Sequence, residues 1–278
     1  MRYIDKKNEE VANLEIDTYL KTAKEEPCFK NYKQGKLYNG FGSTLQRKNL
    51  INNVLLPEQQ FCCCYCMQKL KNNSATIEHI IPQSISDTNQ MQSYFNLEFK
   101  GLNATNICHT KDYVEGKSTK GQYPHEVAYH NFTIACSRCN SNRSNHDIVP
   151  LFLFPNIEQE VVYNQNTGEI TWSGDPVLQD YIPTQRPTVE KIGLNSPLLK
   201  AIRAVWFYSS KHKLSISKNT NRNDRNEIIY LAFGEAISHN NDFTDQDLKA
   251  FLSLLTDEYW TQLSQYDYFN TTTLKICS

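Results

Sequence analysis

Two cysteine pairs with the same two-residue gap, Cys63/Cys66 and Cys136/Cys139, constrain the fold of this chain more than any other feature. A tight turn between paired cysteines brings both sulfurs to one side of a tetrahedral Zn²⁺, so two such pairs form a closed structural site and draw distant stretches of chain together. The segment between the pairs is much longer than in ordinary zinc ribbons, and spacing alone leaves open that the cysteines pack as small hydrophobes. The chain has nine cysteines, and it opens with Met1-Arg2-Tyr3-Ile4-Asp5 and a charged segment instead of an apolar signal core. That combination favours metal binding over disulfides. No apolar run approaches the roughly 20 residues of a membrane span, and a cytosolic protein is expected. Cys62 and Cys64 are expected to be bystanders, because only the Cys63/Cys66 register repeats the gap of the second pair. Cys28 and Cys277 carry no motif.

The rest of the chain frames this centre. Up to about residue 60 the pattern is helical, with Val11, Leu14, Tyr19 and Leu20, and then Leu45, Leu50, Ile51, Val54 and Leu55, at three- and four-residue spacings broken around Gly35, Gly40 and Gly42. Residues 61–155 are rich in Cys, His and Asn. Ala75–Ile81 is a β-branched run ended by Pro82, and Tyr129–Ala135 is a second strand-like run leading into Cys136. The stretch between them, about 83–128, is too long for a simple connection and reads as an insertion. Beyond 155, Val161–Tyr163 and Glu169–Trp172 flank Asn-Gln-Asn-Thr-Gly168 as a β-hairpin, and the remainder is mostly helical, with Thr244 and Asp247 at capping-box spacing. The expected class is therefore α+β: a helical region at 1–60, a core at 61–155, and a hairpin with helices at 156–278.

With 29 basic and 30 acidic residues, the chain lacks the basic excess of a purely electrostatic nucleic-acid binder. Charge is uneven, however. Leu199–Arg225 holds seven Lys or Arg and one Asp, whereas Asn226 to the end holds two basic and eight acidic residues. The first stretch suits phosphates and the second suits docking to a partner; a merely solvated helical surface would look the same.

Between the cysteine pairs lies Ile77-Glu-His-Ile-Ile-Pro-Gln83, Asn131 precedes the second pair, and Asn140-Ser-Asn-Arg143 follows it. This set resembles the HNH endonuclease family, whose usual pattern is Asp-His-Ile-x-Pro, then Asn-Leu, then Cys-x-x-Cys-Asn-x-x-Lys. Here Glu78 stands for the Asp, Phe132 for the Leu and Arg143 for the Lys. Leu56-Pro-Glu-Gln-Gln-Phe-Cys-Cys-Cys-Tyr-Cys66, together with the opening Met-Arg-Tyr-Ile, is similar to the HNH proteins of Septu and related retron-linked antiphage systems. That likeness covers the N-terminal half well and the C-terminal half loosely.

The resemblance implies a ββα-metal nuclease core pinned by a four-cysteine zinc knuckle, acting on nucleic acid with DNA favoured over RNA. It also implies an ABC/SMC-type ATPase partner. His79 would be the general base, suited by an ordinary pKa of about 6.5. Glu78 and Asn140 would hold a catalytic Mg²⁺ or Mn²⁺, Asn131 would orient the imidazole through a side-chain hydrogen bond, and Arg143 would contact a phosphate. Two points stay open in the sequence. Adjacent strand residues such as Glu78 and His79 face opposite ways unless the strand twists or ends there. Asn96, in Ser93-Tyr-Phe-Asn-Leu97, competes with Asn131 as the central Asn, although Asn131 has the advantage that its strand runs directly into the knuckle. Cys108, His109, His125, His130 and His146 leave room for a second metal site.

Overall fold

The computed structural model describes residues 3–26, 29, 33–71, 73–85, 88–95, 106–143, 151–153, 157–172, 192–216, 219–263 and 275–277. Asn96, His146 and Cys28 lie outside them. The fold is mixed α+β, and contacts divide the chain into two compact units: Arg2–Cys64 with Leu70–Pro155, and Asn156–Ser278 with Met1 and Tyr65–Lys69. The N-terminal helices thus belong to the same unit as the Cys- and His-rich segment instead of forming a region of their own.

In the first unit, α1 (Glu9–Ala23) buries Ala12, Ile16, Tyr19, Leu20 and Ala23, a regular three-and-four spacing that makes one apolar stripe. The expected face was set partly by Val11 and Leu14, and both of these are exposed. The small Ala12 and Ala23 take the buried positions and let the neighbouring elements approach closely. Helix α2 (Lys36–Gly42) begins at Gly35, whose φ of 75° is a left-handed conformation that glycine adopts without strain. The Tyr19 hydroxyl donates to Leu37 O at 2.6 Å and ties α2 to α1. Helix α3 (Leu45–Leu50) is capped by Thr44, whose side chain accepts from Arg47 N, and it runs on through a wider turn at Ile51–Leu55. Leu50, Val54, Leu55 and Leu56 are fully buried there.

The centre of this unit is an antiparallel pair, β1 (Ala75–His79) and β4 (Phe132–Cys136), in the register Ala75↔Cys136 to His79↔Phe132. Between them fall a two-residue parallel pair, β2 (Ile107–Cys108) and β3 (Tyr123–Pro124), and a short helix at Thr110–Val114. The expected second strand began at Tyr129, but Tyr129–Asn131 forms a 3-10 turn and the strand starts at Phe132. The helix Ser137–Arg143 follows β4 directly. Gln59 is buried against the strand: its amide accepts from Ile134 N at 2.6 Å and donates to Ile134 O at 2.8 Å, while Cys64 N also donates to Ile134 O. The cysteine-rich turn is thereby held along the outer edge of β4, whose backbone groups would otherwise be buried without partners.

In the second unit, β5 (Val161–Asn164) and β6 (Ile170–Trp172) form the expected antiparallel hairpin, and β7 (Lys275–Cys277) adds a parallel strand beside β5. Gly168 in the hairpin turn has φ of 71°, and a Cβ there would lie 2.0 Å from Lys200 O on the helix Pro197–Lys211. Arg203, fully buried on that helix, donates to Gly168 O and Leu194 O. Helices Arg222–Ser238, Asp245–Ser253 and Asp257–Leu263 complete the unit, the second opened by the full Thr244/Asp247 capping box. No helix among the described residues is long and apolar enough to cross a membrane.

Candidate metal centre and adjoining cleft

The β1/β4 register delivers Cys136 to the end of the ladder, where the helix Ser137–Arg143 begins. The Sγ atoms of Cys63, Cys66, Cys136 and Cys139 all lie within 4.8 Å of one another, and all four residues are buried. A tetrahedral Zn²⁺ with Zn–S bonds near 2.3 Å spaces its sulfurs by about 3.8 Å, so small side-chain rotations suffice to close the site. The turn of the second pair is held by Cys139 N–H, which donates to Cys136 Sγ at 3.4 Å. Four cysteines are positioned to hold a metal ion, consistent with structural zinc.

Cys64 is not one of the four, although its thiol neighbours that of Cys63. Its sulfur takes a contact from Thr133 Oγ1 at 3.7 Å, and burial pushes its thiol pKa well above the usual value. Among the described residues, the grouping of His, Cys, Asp and Glu that could hold a metal is the four-cysteine one. Cys108, His109 and His125 form no second such group. His109 and His125 instead stack with ring centroids 5.0 Å apart, and His125 Nδ1 accepts from Thr110 N and Thr110 Oγ1 at 3.1 Å each.

At the opposite end of the ladder a cleft of about 540 Å³ opens, lined by Glu78, His79, Gln83, Asn140 and Arg143, and also by Gln34, Tyr38 and Arg47. Glu78 and His79 both line it although they are neighbours on a strand. The ladder stops at His79, after which Ile80 N donates to Asn131 O and the chain turns at Pro82, so strand alternation no longer applies.

The imidazole of His79 is buried and held on every side. Its ring meets Tyr38 edge-on at 4.5 Å and Phe132 at 5.0 Å. Nε2 donates to Glu126 O at 3.1 Å, which fixes the tautomer and leaves the lone pair on Nδ1. That lone pair accepts from Gln83 Nε2 at 3.1 Å. Burial lowers the pKa of His79 to about 3, partly offset by the bond to Glu126 O and reinforced by the Arg143 charge. The side chain is thus neutral.

Asn131 does not hold the imidazole. Its side chain accepts from Ile81 N at 2.6 Å and donates to Ile81 O at 3.0 Å and to His125 O at 2.7 Å. It fastens the chain that leaves β1 to the loop before β4, and the orienting contact expected of it is made by a backbone carbonyl, Glu126 O. Arg143 likewise departs from expectation. It is buried, donates to His79 O at 2.6 Å and Ile80 O at 2.8 Å, and pairs with Glu78 at 3.1 Å. Its charge neutralises Glu78 and its fork clamps the end of β1, so it is not free to reach a phosphate. Gln34, Tyr38 and Arg47 were not expected at the site, because they come from the N-terminal helices and the turn before Lys36, where no motif marks them.

No protein-family model matches this chain, and no curated protein or solved structure does either.

Proposed function

We propose that the chain is a metal-dependent HNH-type endonuclease, with β1, β4 and the helix Ser137–Arg143 as its ββα core and the four cysteines as a zinc knuckle. The observation that carries this reading is the convergence of Glu78, a neutral His79 and Asn140 on one cleft at the end of a ladder whose other end carries the cysteine cluster. Recognition alone has no use for a tautomer-fixed imidazole with its lone pair turned to a polar cleft.

Phosphodiester hydrolysis needs a base for the attacking water and neutralisation of the charge that builds on the phosphate and the leaving 3′ oxygen. His79 Nδ1 takes the proton, the bond from Nε2 to Glu126 O keeping that nitrogen turned to the cleft. Burial holds the ring's pKa to about 3 in the closed site, well below the ordinary value expected of a base, so it serves once entering water and substrate relieve that desolvation. Gln83 must yield Nδ1 to the water, its amide remaining close enough to orient it. Glu78 and Asn140 are the oxygen donors that would hold Mg²⁺ or Mn²⁺, an ion that stabilises developing negative charge. Glu78, paired with Arg143 at 3.1 Å, presents the carboxylate oxygens that a hard cation prefers. DNA is the proposed substrate, and the proposed setting is antiviral defence beside an ABC/SMC-type ATPase. Both rest on the motif likeness alone, with the acidic C-terminal stretch compatible with docking.

The test is cleavage of plasmid DNA with Mg²⁺ or Mn²⁺, with structured RNA in parallel, by the wild type and His79→Ala. A loss of about 10²-fold or more on DNA is expected for the variant. Equal rates, or no cleavage by either protein even with a co-purifying ATPase and its nucleotide, would sink the proposal; preference for RNA would move the substrate.

A further inference from the structure

We infer that Arg47 is the residue that grips the backbone phosphate of the bound strand in the cleft. This inference rests on the nuclease reading and adds a binding residue from outside its motif. Two arginines line the cleft, and they differ in what they already hold. Arg143 is committed to Glu78 and to the carbonyls of His79 and Ile80. Arg47 has no carboxylate partner among the described residues; the Nε of both arginines is buried with no hydrogen-bond acceptor, so the difference between them lies in the counter-charge and the carbonyls that Arg143 holds. A guanidinium kept from water on one edge and lacking a counter-charge offers planar, paired donors to an anion, and a phosphodiester presents two oxygens at that spacing.

Its position is fixed from two sides. The backbone N–H of Arg47 is the donor to the Thr44 cap of α3. Its guanidinium lies beside Tyr38, whose ring packs on His79 at 4.5 Å. An anion held by Arg47 therefore sits beside the base. Among the side chains that line the cleft, Glu78 and Arg143 pair with each other and His79 is neutral, which leaves Arg47 as the charged group with no opposite charge on the lining.

The experiment uses the full chain and a labelled DNA duplex, with binding followed by fluorescence anisotropy without added divalent ion over a salt series. Arg47→Gln is compared with Arg47→Lys and with Lys48→Gln, which removes the same charge from the next, exposed residue. Thermal melts verify folding, which α3 should retain because the cap uses only backbone and Thr44. Arg47→Gln is expected to weaken binding about tenfold and to reduce the slope of log affinity on log salt by about 0.9, one phosphate contact. Lys48→Gln should change neither, and Arg47→Lys should recover the slope without the full affinity. In cleavage, Arg47→Gln should raise KM more than it lowers kcat.

Equal effects from Arg47→Gln and Lys48→Gln, or none from either, overturn the inference, as does an absence of duplex binding at low salt. His79-dependent cleavage that ignores Arg47 would leave the nuclease reading standing and this inference refuted. Arg47-dependent binding with no cleavage would do the reverse.

Discussion

The cysteine cluster and the cleft sit at opposite ends of one two-stranded ladder, yet they are assembled on different principles. The cluster is built from two local pairs, each with its own tight turn, and the β1/β4 register only has to bring the pairs together. The cleft draws single residues from α2, α3, β1, the turn at Pro82 and the helix Ser137–Arg143. Buried polar contacts hold it together: Arg143 on Glu78 and the end of β1, Asn131 on Ile81, Glu126 O on His79. A site made of local pairs keeps its geometry while its ligand is bound, whereas a site made of long-range contacts keeps it only while every contact survives.

The sharpest way to break this comparison is at the cysteines. Structural zinc contributes on the order of 10 kcal/mol to the fold it closes. Cys136→Ser is therefore expected to lose bound zinc and the cooperative unfolding transition together, read by metal analysis and a thermal melt. Cys64→Ser, equally buried but outside the cluster, should keep its zinc and lose at most about 1–2 kcal/mol. Equal zinc loss from both variants would mean that the ligand register has been assigned to the wrong cysteines.

Smaller effects are expected from the clamps around the cleft. Arg143→Leu removes the buried guanidinium that pairs with Glu78 and holds the carbonyls of His79 and Ile80, at a cost of about 3–5 kcal/mol. Asn131→Asp keeps the acceptor for Ile81 N but loses the donations to Ile81 O and His125 O, leaving a charge in their place. It should destabilise by about 2–4 kcal/mol. Urea titrations with zinc content monitored would check both. If the clamps are separate from the cluster, zinc remains bound while the denaturation midpoint falls; zinc released in proportion to the stability lost would merge the two sites into one cooperative element.

The same difference explains what the sequence made legible. The Cys63/Cys66 and Cys136/Cys139 gaps, the hairpin around Gly168 and the Thr244/Asp247 cap are short-range patterns, and each is found where the spacing put it. The strand run ending at Pro82 also located β1. The face of α1 was misjudged because Val11 and Leu14 outrank Ala12 and Ala23 in hydrophobicity, while close packing of the helices favours the small residues. Arg143 was assigned outward because helical spacing alone places it one turn beyond Asn140. Its burial depends on Glu78 and two carbonyls on another element. Arg47 and Tyr38 could not be found at all from spacing, since nothing local distinguishes a helical Arg or Tyr that faces a cleft from one that faces water.

The smallest expected effect concerns the polar core behind the cleft, and it tests whether that core is as closed as the cysteine cluster. Burial, with help from the neighbouring His109 and His79, lowers the pKa of His125 to about 3. The unfolded value is near 6.5. Above that pH neither state carries the proton. As the pH falls below 6.5 the unfolded chain takes it up and the folded one does not, so stability decreases by up to about 1.4 kcal/mol per pH unit until the folded pKa is reached. His125→Asn preserves an acceptor for Thr110 N and Oγ1 and removes this titration. Over the first unit below pH 6.5 the wild type should lose about 1 kcal/mol more than the variant. Protons released or taken up by the zinc thiolates are common to both proteins and cancel in the difference. Parallel pH profiles would mean that His125 exchanges protons with solvent in the folded state, making the contacts behind His79 open where those around the cysteines are closed.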